Sequence, residues 1–238
     1  MFLLDLSLPT LAENLALDEA LLLEAEAGDG AEVLRFWEHP QLAVVLGAGG
    51  QFAVDVNEAA CQADGVELAR RSSGGGTVLL GTGCLLYSLV LRYDRAPELR
   101  DVTASYRWIM GRMKTVFQVL HPEVEVAGIS DLSIHGRKFS GNAQQRKRFH
   151  VLHHGTLLYG FDLPAVARYL QMPDKQPAYR AGRGHLDFVC NLETEAVTLK
   201  SLLVKEWDAA ATNPAVPLER MRELWAEKYQ REEWVRRR

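Results

Sequence analysis

The chain has 238 residues, 47% of them apolar and 24% charged, with a formal net charge of −4. That composition excludes a disordered, collagenous or coiled-coil protein and leaves ample chain to bury a core. Nothing in the overall charge favours nucleic acid or an acidic membrane, since the only local basic runs are Arg146-Lys147-Arg148 and Arg236-Arg237-Arg238. The three cysteines, Cys61, Cys84 and Cys190, are too widely spaced for a disulfide framework or a zinc cluster, so reduced thiols are expected. Met1 to Pro9 lacks a positive n-region and carries Asp5 within its apolar run, which argues against a signal peptide. No stretch approaches the ~18 uncharged apolar residues of a membrane span. A cytoplasmic protein without nucleic-acid or membrane partners is expected.

In chain order, leucines and alanines at helical spacing predict an amphipathic helix from Asn14 to Ala27, ended by Gly28-Asp29-Gly30. Val33 to Trp37 and Leu42 to Leu46 read as strands, the second closed by Gly47-Ala48-Gly49-Gly50. A helix over Val56 to Gly65 and a strand over Val66 to Arg70 follow. Thr77 to Leu80 and Leu85 to Tyr93 read as paired strands around the Gly81-Thr82-Gly83 turn. Ser105 to Leu120 reads as a helix. Leu132 to Phe139 and Val151 to Leu158 read as strands joined by a polar connection, Asn142 to Arg148. Helices over Leu163 to Leu170, Ala196 to Trp207 and Leu218 to Tyr229 complete the chain. Strands and helices interleave without strict βαβ alternation, so the expected class is α+β. With no linker, repeat or low-complexity segment, one domain over residues 1–238 is the simplest organisation.

Three segments can carry chemistry. In Arg70-Arg71-Ser72-Ser73-Gly74-Gly75-Gly76-Thr77, three successive glycines let the backbone take φ > 0 and approach a ligand. Their amides can form an anion nest, to which Arg70 or Arg71 adds charge; the alternative is a flexible hairpin tip. No Gly-Lys-Ser/Thr follows, so this is not a Walker loop, and no helix opens after it, so it is not a dinucleotide fingerprint. The second segment runs from Asp131 through Gly136-Arg137-Lys138 to Ser140-Gly141-Asn142-Ala143. Lys138 there is either a solvated strand lysine or a point charge for an acyl or phosphoryl oxygen, and Asp131 is a candidate magnesium ligand. The third is His153-His154-Gly155-Thr156. Neighbouring strand residues face opposite ways, so the two histidines cannot share a metal, and at least one is expected to be packed and hydrogen-bonded.

Taken in order, these three segments resemble the lipoate–protein ligase A family and its relatives, the octanoyl transferases. Asn14 to Glu19, Arg35-Phe36-Trp37 and Phe188-Val189-Cys190-Asn191-Leu192 fit the same pattern. Biotin ligases share the fold, but their Gly-Arg-Gly-Arg loop is absent. The resemblance implies a mixed sheet flanked by helices of the class II synthetase type, and a tunnel for a medium-chain acyl group. It implies lipoate and ATP, with magnesium, as substrates. The implied acceptor is a lysine on a lipoyl carrier domain, of the glycine cleavage H protein or dehydrogenase E2 type. By position, Arg71, Ser73, Gly74, Gly75, Gly76 and Thr77 match the adenylate-binding loop. Ser140, Gly141, Ala143, His154 and Gly155 match further substrate contacts, Lys138 the essential lysine and Asp131 a nucleotide-side aspartate.

The chain departs from the ligase pattern where Leu80-Gly81 and Gly83-Cys84 replace His-Asp and Gly-Asn, and where Ser130 precedes Asp131. It also ends without the accessory C-terminal domain of many ligases, so a separate accessory chain is a candidate partner. Gly81-Thr82-Gly83 resembles the Gly-Pro-Gly turn of octanoyl transferases, which take the acyl group from acyl carrier protein onto a cysteine. Cys190 stands where ligases commonly have threonine. It is either that nucleophile, working with Lys138, or a small apolar replacement. A second transferase subgroup places its cysteine upstream of the Gly-Arg-Lys strand, where this chain reads Gly128-Ile129-Ser130 and excludes it. Cys61 and Cys84 are expected to be structural.

Overall fold

The structure, a computed structural model, describes residues 1–28, 31–211 and 215–237. It begins with β1 (Phe2–Asp5), α1 (Leu11–Ala27), β2 (Val33–Trp37) and β3 (Ala43–Leu46). The short helices α2 (Phe52–Asp55) and α3 (Glu58–Asp64) lead to β4 (Glu67–Arg70), β5 (Val78–Leu80) and β6 (Cys84–Arg92). After α4 (Val102–Gln118) come four strands, β7 (Val124–Ala127), β8 (Asp131–Ile134), β9 (Arg137–Arg146) and β10 (His150–Leu158). The remainder is helical: α5 (Leu163–Tyr169), α6 (His185–Phe188), α7 (Ala196–Trp207), α8 (Leu218–Leu224) and α9 (Glu232–Val235), with a π-turn at Trp225–Tyr229. Asp29 and Gly30, expected to end the first helix, lie outside the described residues.

α1 starts at Leu11 rather than Asn14 because Thr10 and Glu13 form a capping box. The Glu13 amide donates to Thr10 Oγ1 at 3.2 Å, and the Thr10 amide donates to the Glu13 carboxylate at 3.0 Å. The helix packs on β10 and on α8, which buries even Asn14, Asp18 and Glu19. Its amphipathic reading is therefore too weak.

The seven-stranded sheet runs β1-β2-β6-β10-β9-β8-β7, parallel at β1–β2 and antiparallel elsewhere. A three-stranded sheet, β4-β3-β5, lies apart from it. This is the expected α+β architecture with a mixed sheet flanked by helices. Alternation along β6 divides the core in two. Cys84, Leu86 and Val90 join α1 and the small sheet, while Leu85, Leu89 and Leu91 join α4 and α7 on the opposite face.

Two pairings differ from expectation. β5 and β6 do not pair: β5 joins β3, and β6 sits between β2 and β10. The turn between them moves the chain from one sheet to the other. Gly83, at φ +86°, lies so close to Gly160 that any Cβ would overlap its carbonyl. The predicted strand Leu132 to Phe139 is instead a hairpin. His135 (φ 50°) and Gly136 (φ 70°) make a two-residue turn of the kind that suits the twist of the flanking strands. β9 then continues to Arg146, through most of the residues expected to form a polar connection, and its polar side chains find partners. Gln144 reaches His153 Nδ1 at 3.2 Å, and Gln145 donates to Glu19 at 3.1 Å.

Tyr87, Gly155 and Asn142 form one row across β6, β10 and β9. With no side chain on Gly155, the Tyr87 hydroxyl crosses the row and donates to Asn142 Oδ1 at 2.5 Å. Asn142 Nδ2 in turn donates to the Ser130 carbonyl at 2.7 Å and to Ser140 Oγ at 3.1 Å. A Cβ on Gly155 would overlap the Asn142 carboxamide. Gly155→Ala should therefore cost roughly 2–3 kcal/mol of folding stability, from overpacking plus broken buried hydrogen bonds. Urea unfolding of the two proteins measures it; a loss below half a kcal/mol would show that the row can relax.

Candidate active site

Arg71 follows β4 and builds the glycine loop from inside. Its guanidinium donates to the carbonyls of Val45 (3.3 Å), Gly74 (2.6 Å) and Gly76 (2.8 Å) and to Ser73 Oγ (3.1 Å). Gly75 sits at φ +86°, and a Cβ there would come within 2.9 Å of Arg71 Nη2. Gly47 abuts the Gly75 carbonyl, so the two glycine-rich loops interlock. No carboxylate pairs with Arg71 among the described residues. Burial pulls the guanidinium down to about 10, which still leaves it charged at neutral pH. It is a buried cation whose partners here are carbonyls and a hydroxyl.

Ser73, only 1% exposed, links that loop to the core. Its hydroxyl lies 2.5 Å from His154 Nε2, and His154 Nδ1 lies 3.5 Å from Asp18. The Nδ1-protonated tautomer is consistent with both contacts, Ser73 donating to Nε2 and Asp18 accepting across the longer gap from Nδ1. Asp18 also accepts from Ser88 Oγ at 2.8 Å and pairs with Arg35 at 2.5 Å. Burial opposes ionisation of Asp18, but the charge of Arg35 with His154 and Ser88 outweighs it, holding the carboxyl below its usual range. The Arg35 donors are saturated by Asn14 and the Leu6 carbonyl. His153 faces the other way, against Tyr87 and the Tyr106 ring, as the alternation of a strand requires.

On the opposite wall, Lys138 Nζ is 2.8 Å from Asp131 and folds over Gly141, where a Cβ would sit 2.5 Å from that nitrogen. The other Asp131 oxygen accepts from the Tyr179 hydroxyl at 2.7 Å. Both carboxylate oxygens are thus engaged, which disfavours Asp131 as a free magnesium ligand. No group of three or more His, Cys, Asp or Glu among the described residues could hold a metal ion.

These walls line a half-open cleft of about 140 Å³. Arg71, Gly75, Gly76 and Thr77 line it from the glycine loop, Asp131, Lys138, Gly141 and Ala143 from the β8–β9 hairpin, and His154 and Gly155 from β10. Leu15, Trp37, Val45, Val78, Leu80 and Leu86 add an apolar patch, and Asp18, Tyr87, Ser130, Asn142 and Thr156 complete the lining. The Trp37 indole N–H is buried there without a partner. The structure thus brings together most of the predicted residues, but not all. Ser73 and Gly74 stand behind the loop as its supports, and Ser140 is buried against Asn142. Of the two arginines offered for the glycine nest, Arg70 turns away, donating to the carbonyls of Trp234, Val235, Arg237, Gly47 and Gly50, and Arg71 is the one that lines the cleft.

Cys190 is also outside the cleft. Its amide donates to the Lys138 carbonyl at 2.9 Å, but its thiol turns to the Arg137 carbonyl at 3.3 Å and packs on the second core. Burial pushes that thiol up, against a smaller opposing pull from Arg137. Cys61 and Cys84 are fully buried, as expected, and burial raises both thiols. Sequence reasoning missed the roles of Asp18, Tyr87, Trp37 and Asn142. Three of the four lay inside the quoted pattern, but their partners are strands away. Tyr87 carries no local signal at all.

Residues 10–211 match the family model of the lipoyl protein ligase A/B catalytic domain, and the chain belongs to that family. A Mycoplasma pneumoniae protein named probable lipoate-protein ligase A is 29% identical over 90% of this chain and 58% of its own length. The chain therefore spans little more than half of that relative. Octanoyltransferase LipM of Moorella thermoacetica is 29% identical over 99% of this chain and 97% of its own. Among solved structures, the fold matches the bi-partite lipoate protein ligase of Thermoplasma acidophilum with a TM-score of 0.83 at 23% identity, covering 99% of this chain and 95% of that one. A lipoate-protein ligase A bound with ATP matches with the same TM-score of 0.83 at 23% identity, covering 99% and 98%.

The site has an acid-sensitive core. Burial, aided by His154, pulls His153 from 6.5 down to about 3, so the fold holds it neutral. Its contribution is full above pH ~6.5 and is lost as pH falls toward 3, because the unfolded chain then binds the extra proton. Stability should drop by up to about 1.4 kcal/mol per pH unit across that window on this account alone. His153→Gln should flatten the slope between pH 6.5 and 4 in urea titrations; an unchanged slope would place the titration elsewhere.

Proposed function

We propose that the chain attaches a lipoyl group, in amide linkage, to a specific lysine of a lipoyl carrier domain, through a lipoyl-adenylate made from lipoate and ATP. The observation that carries this reading is a single cleft that joins an apolar patch to two cations, Arg71 and Lys138, with no thiol lining it. A carboxylate resists attack by an amine, so it must first acquire a leaving group. The lipoate carboxylate attacks the α-phosphorus of ATP and pyrophosphate leaves; the carrier amine then attacks the acyl carbon, releasing AMP and a proton. Both steps build negative charge on oxygen. Fixed cations in a low-dielectric cleft stabilise that charge without reorganising. Magnesium enters with ATP as a substrate, and the carrier is of the glycine cleavage H protein or dehydrogenase E2 type.

The second reading is octanoyl transfer from acyl carrier protein. It is favoured by the near full-length match to an octanoyltransferase. That chemistry needs a reactive thiolate facing the acyl group. The Cys190 thiol is held outside the cleft and its ionisation is disfavoured, so the first reading stands ahead.

The test is the intact mass of a lipoyl domain after incubation with lipoate plus ATP, or with octanoyl-acyl carrier protein alone. Modification in the first mixture only is expected; modification in the second only would reverse the two readings. Lys138→Ala should fold normally yet lose about 10²-fold or more of the transfer rate. Cys190→Ser should keep most ATP-dependent activity, whereas complete loss with a thioester trapped on the wild-type Cys190 would establish the transferase. Gly75→Val, strained at φ +86° and pressed against Arg71, should abolish binding of a non-hydrolysable lipoyl-adenylate analogue by calorimetry.

A further inference from the structure

Between α5 and α6, residues 171–184 form a strap that crosses the β8–β9 hairpin. It is tightly seated. Ala181 (φ 51°) and Gly182 (φ 71°) reverse the chain through left-handed backbone, and Arg183 ties the turn down by donating to the Gly136 and Tyr179 carbonyls, both at 2.8 Å. Arg180 lies over the Phe188 ring at 4.6 Å and donates to the Arg183 carbonyl at 3.0 Å. The Tyr179 ring rests between Phe188, at a centroid distance of 5.2 Å, and Gly128, so its hydroxyl points in a determined direction. That hydroxyl donates to Asp131 at 2.7 Å, and the same carboxylate holds Lys138 at 2.8 Å.

We infer that Tyr179 is a positioning residue for Lys138, acting through Asp131. This rests on the reading of Lys138 as the cation of the acyl-transfer site. An aspartate with a free second oxygen can rotate and grip a lysine ammonium with both oxygens, holding it back from the substrate. The Tyr179 hydroxyl occupies the second oxygen, fixes the carboxylate plane and leaves Lys138 a single contact. Two of its three ammonium donors then remain for developing oxyanions. Tyr179 touches no cleft surface itself, so its effect belongs to the chemical step rather than to substrate binding.

Tyr179→Phe keeps the ring and its packing and removes only the hydroxyl. With wild-type activity established by the lipoyl-domain mass assay, the variant should lose about tenfold in kcat. KM for lipoate and the unfolding midpoint should stay within a factor of two and a degree or two respectively. In an Asp131→Asn background, the same change should have no further effect on kcat, because its route to Lys138 is already cut. An unchanged kcat overturns the proposal, as does a loss that falls on KM and thermal stability alike, or one that is fully additive with Asp131→Asn. A wild-type chain inactive toward both acyl donors would remove the functional reading and this proposal together. Wild-type activity with an indifferent Tyr179→Phe would remove this proposal alone.

Discussion

One buried carboxylate organises the site. Asp18, on α1, takes Arg35 from β2, Ser88 from β6 and His154 from β10, and through His154 it reaches Ser73 of the glycine loop. An isolated charge at such depth costs several kcal/mol, so each partner is required by the others. Arg35 shows the same logic in reverse, since its charge is matched by Asp18 and its remaining donors by carbonyl and carboxamide oxygens of Leu6 and Asn14. The helix, three strands of the large sheet and the loop are thereby fixed relative to one another before any ligand arrives. Preorganisation of this kind is what electrostatic catalysis requires.

The cleft side of the same loop follows the opposite rule. Arg71 is buried, though less completely than Arg35, and it meets only carbonyls and a hydroxyl. Its charge is stabilised by dipoles and is not neutralised, and in low dielectric its field reaches into the cavity. Asp18 and Arg71 thus differ: a neutralised pair joins Asp18 to Arg35, while Arg71 lines the cleft without a carboxylate partner among the described residues. His154 and Ser73 connect the two without cancelling either.

The C-terminal segment supports the loop from outside. Strand alternation sends Arg70 away from Arg71, onto the carbonyls of Trp234, Val235 and Arg237, while the Trp234 indole donates back to the Arg70 carbonyl at 2.8 Å. Lys228 and Tyr229 meet at Glu19, whose other oxygen accepts from Gln145, and Gln145 accepts from Ser72. Residues 215–237 lie beyond the stretch matched to the family, yet they buttress the glycine loop.

Local chemistry was legible in the sequence. The leucine and alanine spacing of α1, the β-formers of β2 and β3, the helix Ala196–Trp207, the three glycines with Arg71, and Lys138 beside Ser-Gly-Asn-Ala all depend on neighbours a few residues away. Backbone preference and periodicity report such neighbours directly. Which strand paired with which was not legible, because β5 and β6 are adjacent in sequence but belong to different sheets. The Tyr87–Asn142 bond across Gly155, the outward turn of Arg70 and the Cys190 thiol, and the hold of Tyr179 on Asp131 were equally hidden. Each depends on a side chain's direction once distant strands come together, and on whether burial leaves its polar atom a partner. Periodicity records which residues can be buried; only the assembled sheet decides what they meet there.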